Sequence, residues 1–193
     1  MKKILFLTLF IIPIWGFSQT TPIDGFLGVK FGSSKLAVIT ALKAKGAVLN
    51  KEGSGPDILI FQKVKLGNRS SNALVVMFTN NKAYCGLFDF ELDDQPKVID
   101  YYHSLVKDIE GKYGPGSPIV DFKSPFKDGD GNELVAFQQG YATMFTDWTS
   151  GKGSIRATIH HEGDNLSVML FYTDDELKAQ VDAKENSKQK SDL

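Results

Sequence analysis

Residues 154–172 read SIRATIHHEGDNLSVMLFY, two alternating apolar runs separated by Glu162-Gly163-Asp164-Asn165. A break rich in Gly, Asp and Asn between two such runs signals a hairpin, and taking those four residues as the loop sets which side chains oppose each other. His161 then stands opposite Leu166, Ile159 opposite Val168 and Ala157 opposite Leu170. The alternate set pairs His160 with Ser167, Thr158 with Met169 and Arg156 with Phe171. Directly opposed residues in an antiparallel pair point to the same face, so this register sorts the hairpin into two surfaces. One carries Ala157, Ile159, Val168 and Leu170 and belongs under helices. The other is mostly polar but holds Met169 and Phe171 beside Arg156, Thr158 and His160. If Met144 and Trp148 of the preceding strand join the first surface, Tyr141, Thr143 and Phe145 join the second.

Working outward, strands are expected over 133–138 and 141–148 before this hairpin, and over 58–66, 73–78 and 83–92 earlier in the chain, where β-branched and aromatic residues concentrate. Asn80-Asn81 makes a two-residue turn, because Asn tolerates positive φ, and the expected pairs are Met77 with Tyr84, Val76 with Cys85, Val75 with Gly86 and Leu74 with Leu87. Both faces of that hairpin are apolar, which places it in a covered part of the sheet. A helix precedes each strand set. Ser33 or Ser34 caps the first, with Leu36, Ile39 and Leu42 as its apolar positions and Gly46 as its stop. Asp94 and Pro96 open the second, whose stripe is Tyr102, Leu105 or Val106, Ile109 and Tyr113, and Gly114-Pro115 ends it. Asp174 caps a last short helix carrying Leu177 and Val181. The expected class is α+β: one domain over 19–182, an antiparallel sheet with helices on one face, built as two αβββ pseudo-repeats of about 26–92 and 93–182. The polar stretch 183–193 reads as a flexible tail.

The chain opens with Met1-Lys2-Lys3 and an apolar run over 4–17 broken only by Thr8 and Pro13. That run falls short of the roughly 20 residues needed to cross a bilayer. Gly16 and Ser18 supply the small residues a signal peptidase reads, so 1–18 is expected to be a secretory signal peptide cleaved before Gln19, and the protein exported to the periplasm or the exterior. The mature chain contains no stretch that reads as a transmembrane segment. Of 193 residues, 42% are hydrophobic and 23% charged, enough for a real core. Lys+Arg 22 against Asp+Glu 23 gives −1, and loss of Lys2 and Lys3 leaves 20 against 23. Such a balance argues against nucleic acid or an anionic membrane as partner. The single cysteine, Cys85, excludes an intramolecular disulfide and a cysteine-based metal centre, and with no His or Lys nearby in sequence it reads as a small buried hydrophobe.

Motifs for chemistry are sparse. His160 and His161 are neighbours in a strand and point to opposite faces, while His103 lies on the second helix, so the three histidines form no metal motif. Gly151-Lys152-Gly153-Ser154 lacks the upstream glycine of a phosphate loop and reads as a turn. Asp128-Gly129-Asp130-Gly131-Asn132-Glu133 alternates oxygen ligands as a calcium loop does, with Asp128, Asp130 and Asn132 as candidates. Its glycine sits at the fourth position instead of the sixth and Gln139 occupies the place of the closing acid, so an ordinary turn is the better reading.

Gly28-Val29-Lys30-Phe31-Gly32-Ser33-Ser34 leading into a helix, Lys112-Tyr113-Gly114-Pro115 ending the second, and Trp148 followed by two amphipathic strands resemble a loose group of exported Bacteroidetes-type α/β proteins. The duplicated helix-plus-sheet plan is also similar to modules such as the beta-lactamase inhibitory protein and the small outer-membrane assembly lipoproteins. The chain lacks the lipobox cysteine or paired cysteines of those relatives, so neither a lipid anchor nor a particular partner carries over. The resemblance implies a noncatalytic module that binds a protein or other envelope component through its sheet face, without a cofactor. The expected contact residues are Tyr141, Phe145, Arg156, Thr158, His160, Met169 and Phe171, a mixture of aromatics, Met and Arg typical of recognition surfaces. They remain available only if the loop 114–132 leaves them uncovered. The alternative is a hydrolase using His160 or His161 with a nearby carboxylate, Asp147 or Asp164.

Overall fold

A computed structural model describes residues 21–163 and 165–191. The expected signal peptide and Asp164 lie outside the described residues. The chain forms, in order, β1 (Gly25–Phe26), β2 (Val29–Lys30), α1 (Lys35–Ala44), β3 (Val48–Asn50), β4 (Ile58–Gln62), β5 (Val64–Leu66), β6 (Arg69–Ser71), β7 (Ala73–Thr79) and β8 (Lys82–Glu91). After a single 3-10 turn at Gln95–Lys97 come α2 (Val98–Tyr113), β9 (Ser117–Phe122), α3 (Glu133–Gln138), β10 (Ala142–Ser150), β11 (Gly153–Glu162), β12 (Asn165–Asp174) and α4 (Asp175–Ser191). The protein is α+β, dominated by an eight-stranded antiparallel sheet in the order β3-β4-β7-β8-β12-β11-β10-β9. Each half of the chain meanders from an outer edge inward, and the last strands of the two halves, β8 and β12, pair at the centre. In each half, α1 or α2 is thus followed by four strands of the large sheet, one more than the αβββ count, because three-residue β3 and Pro-containing β9 carry little strand signal.

The decisive hairpin folds in the register read from its sequence: Arg156 opposes Phe171, Thr158 Met169, Ile159 Val168 and His161 Leu166. The pairing extends to Glu162 and Asn165, so the turn is tighter than the four-residue loop expected. The first-half hairpin differs. Asn80 and Asn81 adopt φ of 49° and 61°, the paired left-handed turn their chemistry favours. Beyond Phe78–Ala83 a bulge then inserts Tyr84, so Met77 opposes Cys85, Val76 opposes Gly86 and Val75 opposes Leu87. The bulge shifts every later pair by one and turns Phe88 and Phe90 into the core, where they are almost fully buried. The run 58–66 is also divided: Lys63 at φ 55° ends β4 and redirects the chain into the separate β5–β6 hairpin.

The core lies on one face of the sheet. Ala157, Ile159, Val168, Leu170, Met144 and Trp148 are buried there, as the alternation predicts. Helix α1, capped by Ser34, buries Val38 and Leu42; Leu36, expected on its apolar face, is 74% exposed. Val38 and Leu42 are one helical turn apart, whereas steps of three from Leu36 drift around the helix. Helix α2 buries Val98, Tyr102, Leu105 and Ile109, and the Tyr102 hydroxyl meets the Thr146 hydroxyl at 2.7 Å inside the core. Residues 133–138 form helix α3 instead of the expected strand. Glu, Leu, Ala and Gln are good helix formers, Ala136 and Phe137 supply its buried side, and a short apolar run does not reveal its own period.

Helix α4 departs from the plan in two ways. It begins where Asp174 Oδ1 accepts the Leu177 amide at 2.9 Å, as expected of a cap, but it continues through Ser191, past the point at which the sequence reading ends the ordered domain. It also lies on the face opposite the other helices, beside Met77, Tyr84, Phe171 and Thr173. Among the described residues, no helix is long and apolar enough to cross a membrane.

Candidate functional site

The second sheet face carries the side chains singled out from the hairpin register. Strand pairing aligns them in rows. One runs Ile119, Phe145, Thr158, Met169 and Asp89 across β9, β10, β11, β12 and β8. The next runs Asp147, Arg156, Phe171, Leu87, Val75 and Ile60. A third, Thr149, Ser154, Thr173, Cys85, Met77 and Ile58, passes alongside α4. Phe145, Thr158, Met169 and Phe171 are half-buried, while Arg156 and His160 are exposed. A groove of about 620 Å³ opens on this face; Phe145, Asp147, Arg156, Thr158, Phe171 and Lys178 are among its walls.

The structure therefore brings together Phe145, Arg156, Thr158, Met169 and Phe171. His160 stands at the end of β11, where its pairing with β10 has ceased. Tyr141 lies apart, 41% exposed in the turn before β10, with its ring 5.6 Å from Phe126. The loop 114–132 does not spread over the rows. Its first half is β9, the outermost strand, and Phe126 from its second half packs against the hydrophobic core with its ring beside Tyr141.

Two residues change the chemistry of the face. Arg156 donates from Nε and Nη2 to the two carboxylate oxygens of Asp147, at 2.7 Å each, and its guanidinium lies 4.2 Å from the centre of the Phe145 ring. The bond to Asp147 raises the guanidinium pKa above its ordinary value, so Arg156 presents a neutralised pair rather than a lone cation. From sequence, Asp147 reads only as a conceivable catalytic carboxylate beside His160 or His161. Extending the hairpin register across the Gly151-Lys152 turn, where Ser150 opposes Gly153, would have placed it opposite Arg156. The second residue is Lys178 of α4, which forms a wall of the groove while its Nζ bonds Asp182 at 2.7 Å.

The hydrolase alternative requires a histidine and a carboxylate to converge. His160 and His161 are both exposed with ring centres 6.2 Å apart, and Asp147 gives both oxygens to Arg156. In the loop read as a weak calcium candidate, Asp130 accepts the Asn132 amide through Oδ1 at 2.8 Å and the Lys127 amide through Oδ2 at 3.0 Å. These backbone bonds, Asn132 first, hold its carboxyl below the usual range. The loop is a self-bonded turn leading into α3, with Gly129 and Gly131 at φ of 75° and 80°. Among the described residues, no group of three or more His, Cys, Asp or Glu side chains is placed to hold a metal ion. Cys85 is 5% exposed, and burial pushes its thiol pKa up, as befits a core-like cysteine.

Comparison with known proteins finds no matching family model, and no significantly similar curated protein or solved structure.

Proposed function

We propose that the protein is an exported, noncatalytic binding or adaptor module that recognises a protein or another envelope ligand through the second face of its sheet. The observation that carries this reading is the half-buried cluster of Phe145, Met169 and Phe171 in two adjacent rows, on strands paired on both sides, beside a groove of about 620 Å³. Apolar side chains that a monomer could have hidden, held in fixed register and flanked by polar groups, are what a recognition surface consists of. Export rests on the cationic start, the apolar run 4–17 and the small residues before Gln19.

The test is capture from an envelope extract by the immobilised chain 19–193, repeated with Phe171→Ala/Arg156→Ala. Neither side chain is buried in the core, so the variant is expected to keep its circular dichroism spectrum and melting temperature while losing a specific retained partner. Undiminished capture by the folded double variant removes this face as the site.

A further inference from the structure

We propose that α4 is a releasable strap across the second sheet face, so that this surface has a covered and an uncovered state. The helix is fixed to the sheet at its start. Ser154 Oγ donates to Asp175 Oδ1 at 2.6 Å, Lys152 Nζ bonds Glu176 Oε2 at 2.8 Å, and the Asp175 amide donates to the Lys152 carbonyl at 2.9 Å. Beyond this first turn, Leu177 and Val181 are its half-buried apolar side chains, and every side chain from 183 to 190 is exposed. A helix of this polarity gains little from tertiary packing, which is where helices in proteins obtain most of their stability.

Past Thr173, apolar side chains of β7 and β8 lie beside α4. Tyr84, Cys85 and Met77 lie on its track, with the Tyr84 hydroxyl 3.6 Å from the Met77 sulfur. The helix stands between two grooves, the one of about 620 Å³ bounded by Lys178 and another of about 580 Å³ bounded by Val181, Lys184 and Glu185. With open grooves on both sides, the Leu177 and Val181 side chains are the apolar anchors of α4 beyond its first turn. Release of the helix beyond its first turn would join the two grooves and extend the Phe145–Phe171 surface over Met77 and Tyr84. The strap is independent of what the face binds.

Cys85, the single cysteine, lies 5% exposed beside α4 and serves as the reporter. The experiment is labelling of the intact chain with 5,5′-dithiobis(2-nitrobenzoate). Strap opening predicts that wild-type labelling in native buffer depends only shallowly on urea, because little surface is exposed, whereas labelling through global unfolding follows the full denaturant slope. Replacing both anchors by Ala keeps helix propensity and removes about half-buried methyl groups, so Leu177→Ala/Val181→Ala is expected to label on the order of 10-fold faster with the sheet's melting transition retained. A full denaturant slope in the wild type, or an unchanged rate in the folded double variant, overturns the proposal. If that variant does not fold, the wild-type slope alone decides.

Discussion

Gly86→Ala tests how the two halves of the sheet are joined beneath the candidate site. Gly86 opposes Val76 on the core face of β8, and a β-carbon there would lie 2.6 Å from Cε1 and 2.7 Å from Cδ1 and Cζ of Phe26. Ordinary carbon contacts need about 3.5–4.0 Å, so the ring must retreat by roughly 1 Å. It has nowhere to go. Phe26 is 3% exposed and is enclosed by Phe31, Phe88 and Tyr172 at ring-centre distances of 6.3, 6.2 and 6.3 Å. Overpacking of this kind costs about 1–3 kcal/mol, offset by about 0.5–1 kcal/mol from replacing a strand glycine by alanine. The net loss is about 1–2 kcal/mol, a fall in Tm of roughly 2–8 °C for a domain of this size. Urea denaturation of Gly86→Ala, Phe26→Ala and the double variant closes the cycle. Phe26→Ala alone costs about 3–5 kcal/mol, but in its background the new methyl group enters the space the ring has left, so Gly86→Ala becomes neutral or slightly stabilising. An equal loss in both backgrounds refutes the contact between β1 and the sheet centre as the reason for glycine at 86.

Tyr102→Phe removes the buried hydroxyl that meets Thr146 and strands the remaining hydroxyl in the core, so stability is expected to fall by about 1–3 kcal/mol. Adding Thr146→Val, which removes the stranded group with little change of shape, is expected to recover part of that loss in urea denaturation; no recovery would mean that the hydroxyl pair is not the source. Alkaline stability follows from Cys85, whose thiol burial holds protonated above the unfolded value of about 8.5. The native state then binds a proton that the unfolded state has released, so the contribution is complete below about pH 8.5 and declines as pH rises toward the folded pKa. Melting temperatures measured from about pH 8 to 9.5, below the tyrosine range, should fall more for the wild type than for Cys85→Ala, and parallel curves would contradict the assignment.

The legible parts of the fold were those in which two local signals agree. In the 154–172 hairpin, turn chemistry and alternation specify the same register, and Met144 and Trp148 join the core as the alternation requires. Around Asn80-Asn81 the turn was equally clear, yet the bulge at Tyr84 moved the partners by one, because both faces there are apolar and alternation carries no information about which residue is extra. Strand β9 carries no strand signal in the sequence because Pro118 and Asp121 disfavour strands, and an outermost strand tolerates both. The candidate face was legible residue by residue, but its cover was not. A polar tail without periodicity gives no sign that its helix will cross the sheet, because what directs it is the end of β12 and the first-turn bonds to Ser154 and Lys152.

The Arg156–Asp147 pair decides what kind of affinity the second face can offer. In sequence Arg156 reads as the cation of a recognition surface. In the fold, Nε and Nη2 are bonded to Asp147 and the flat face lies over Phe145, with side-chain exposures of 50% for Arg156 and 35% for Asp147. A ligand carboxylate would meet a charge already neutralised by Asp147, whether it used the remaining Nη N–H groups beside that carboxylate or displaced it, so the net gain is small, as it is for exposed ion pairs generally. Phe171 and Met169 have no comparable claim on them, and the free energy of covering them is nonspecific to charge. Capture through this face should therefore weaken far more with Phe171→Ala than with Arg156→Ala, and should change little between low and high salt. A partner lost at high salt, or lost equally with either single substitution, would show that the ion pair opens on binding and that charge recognition governs the interface.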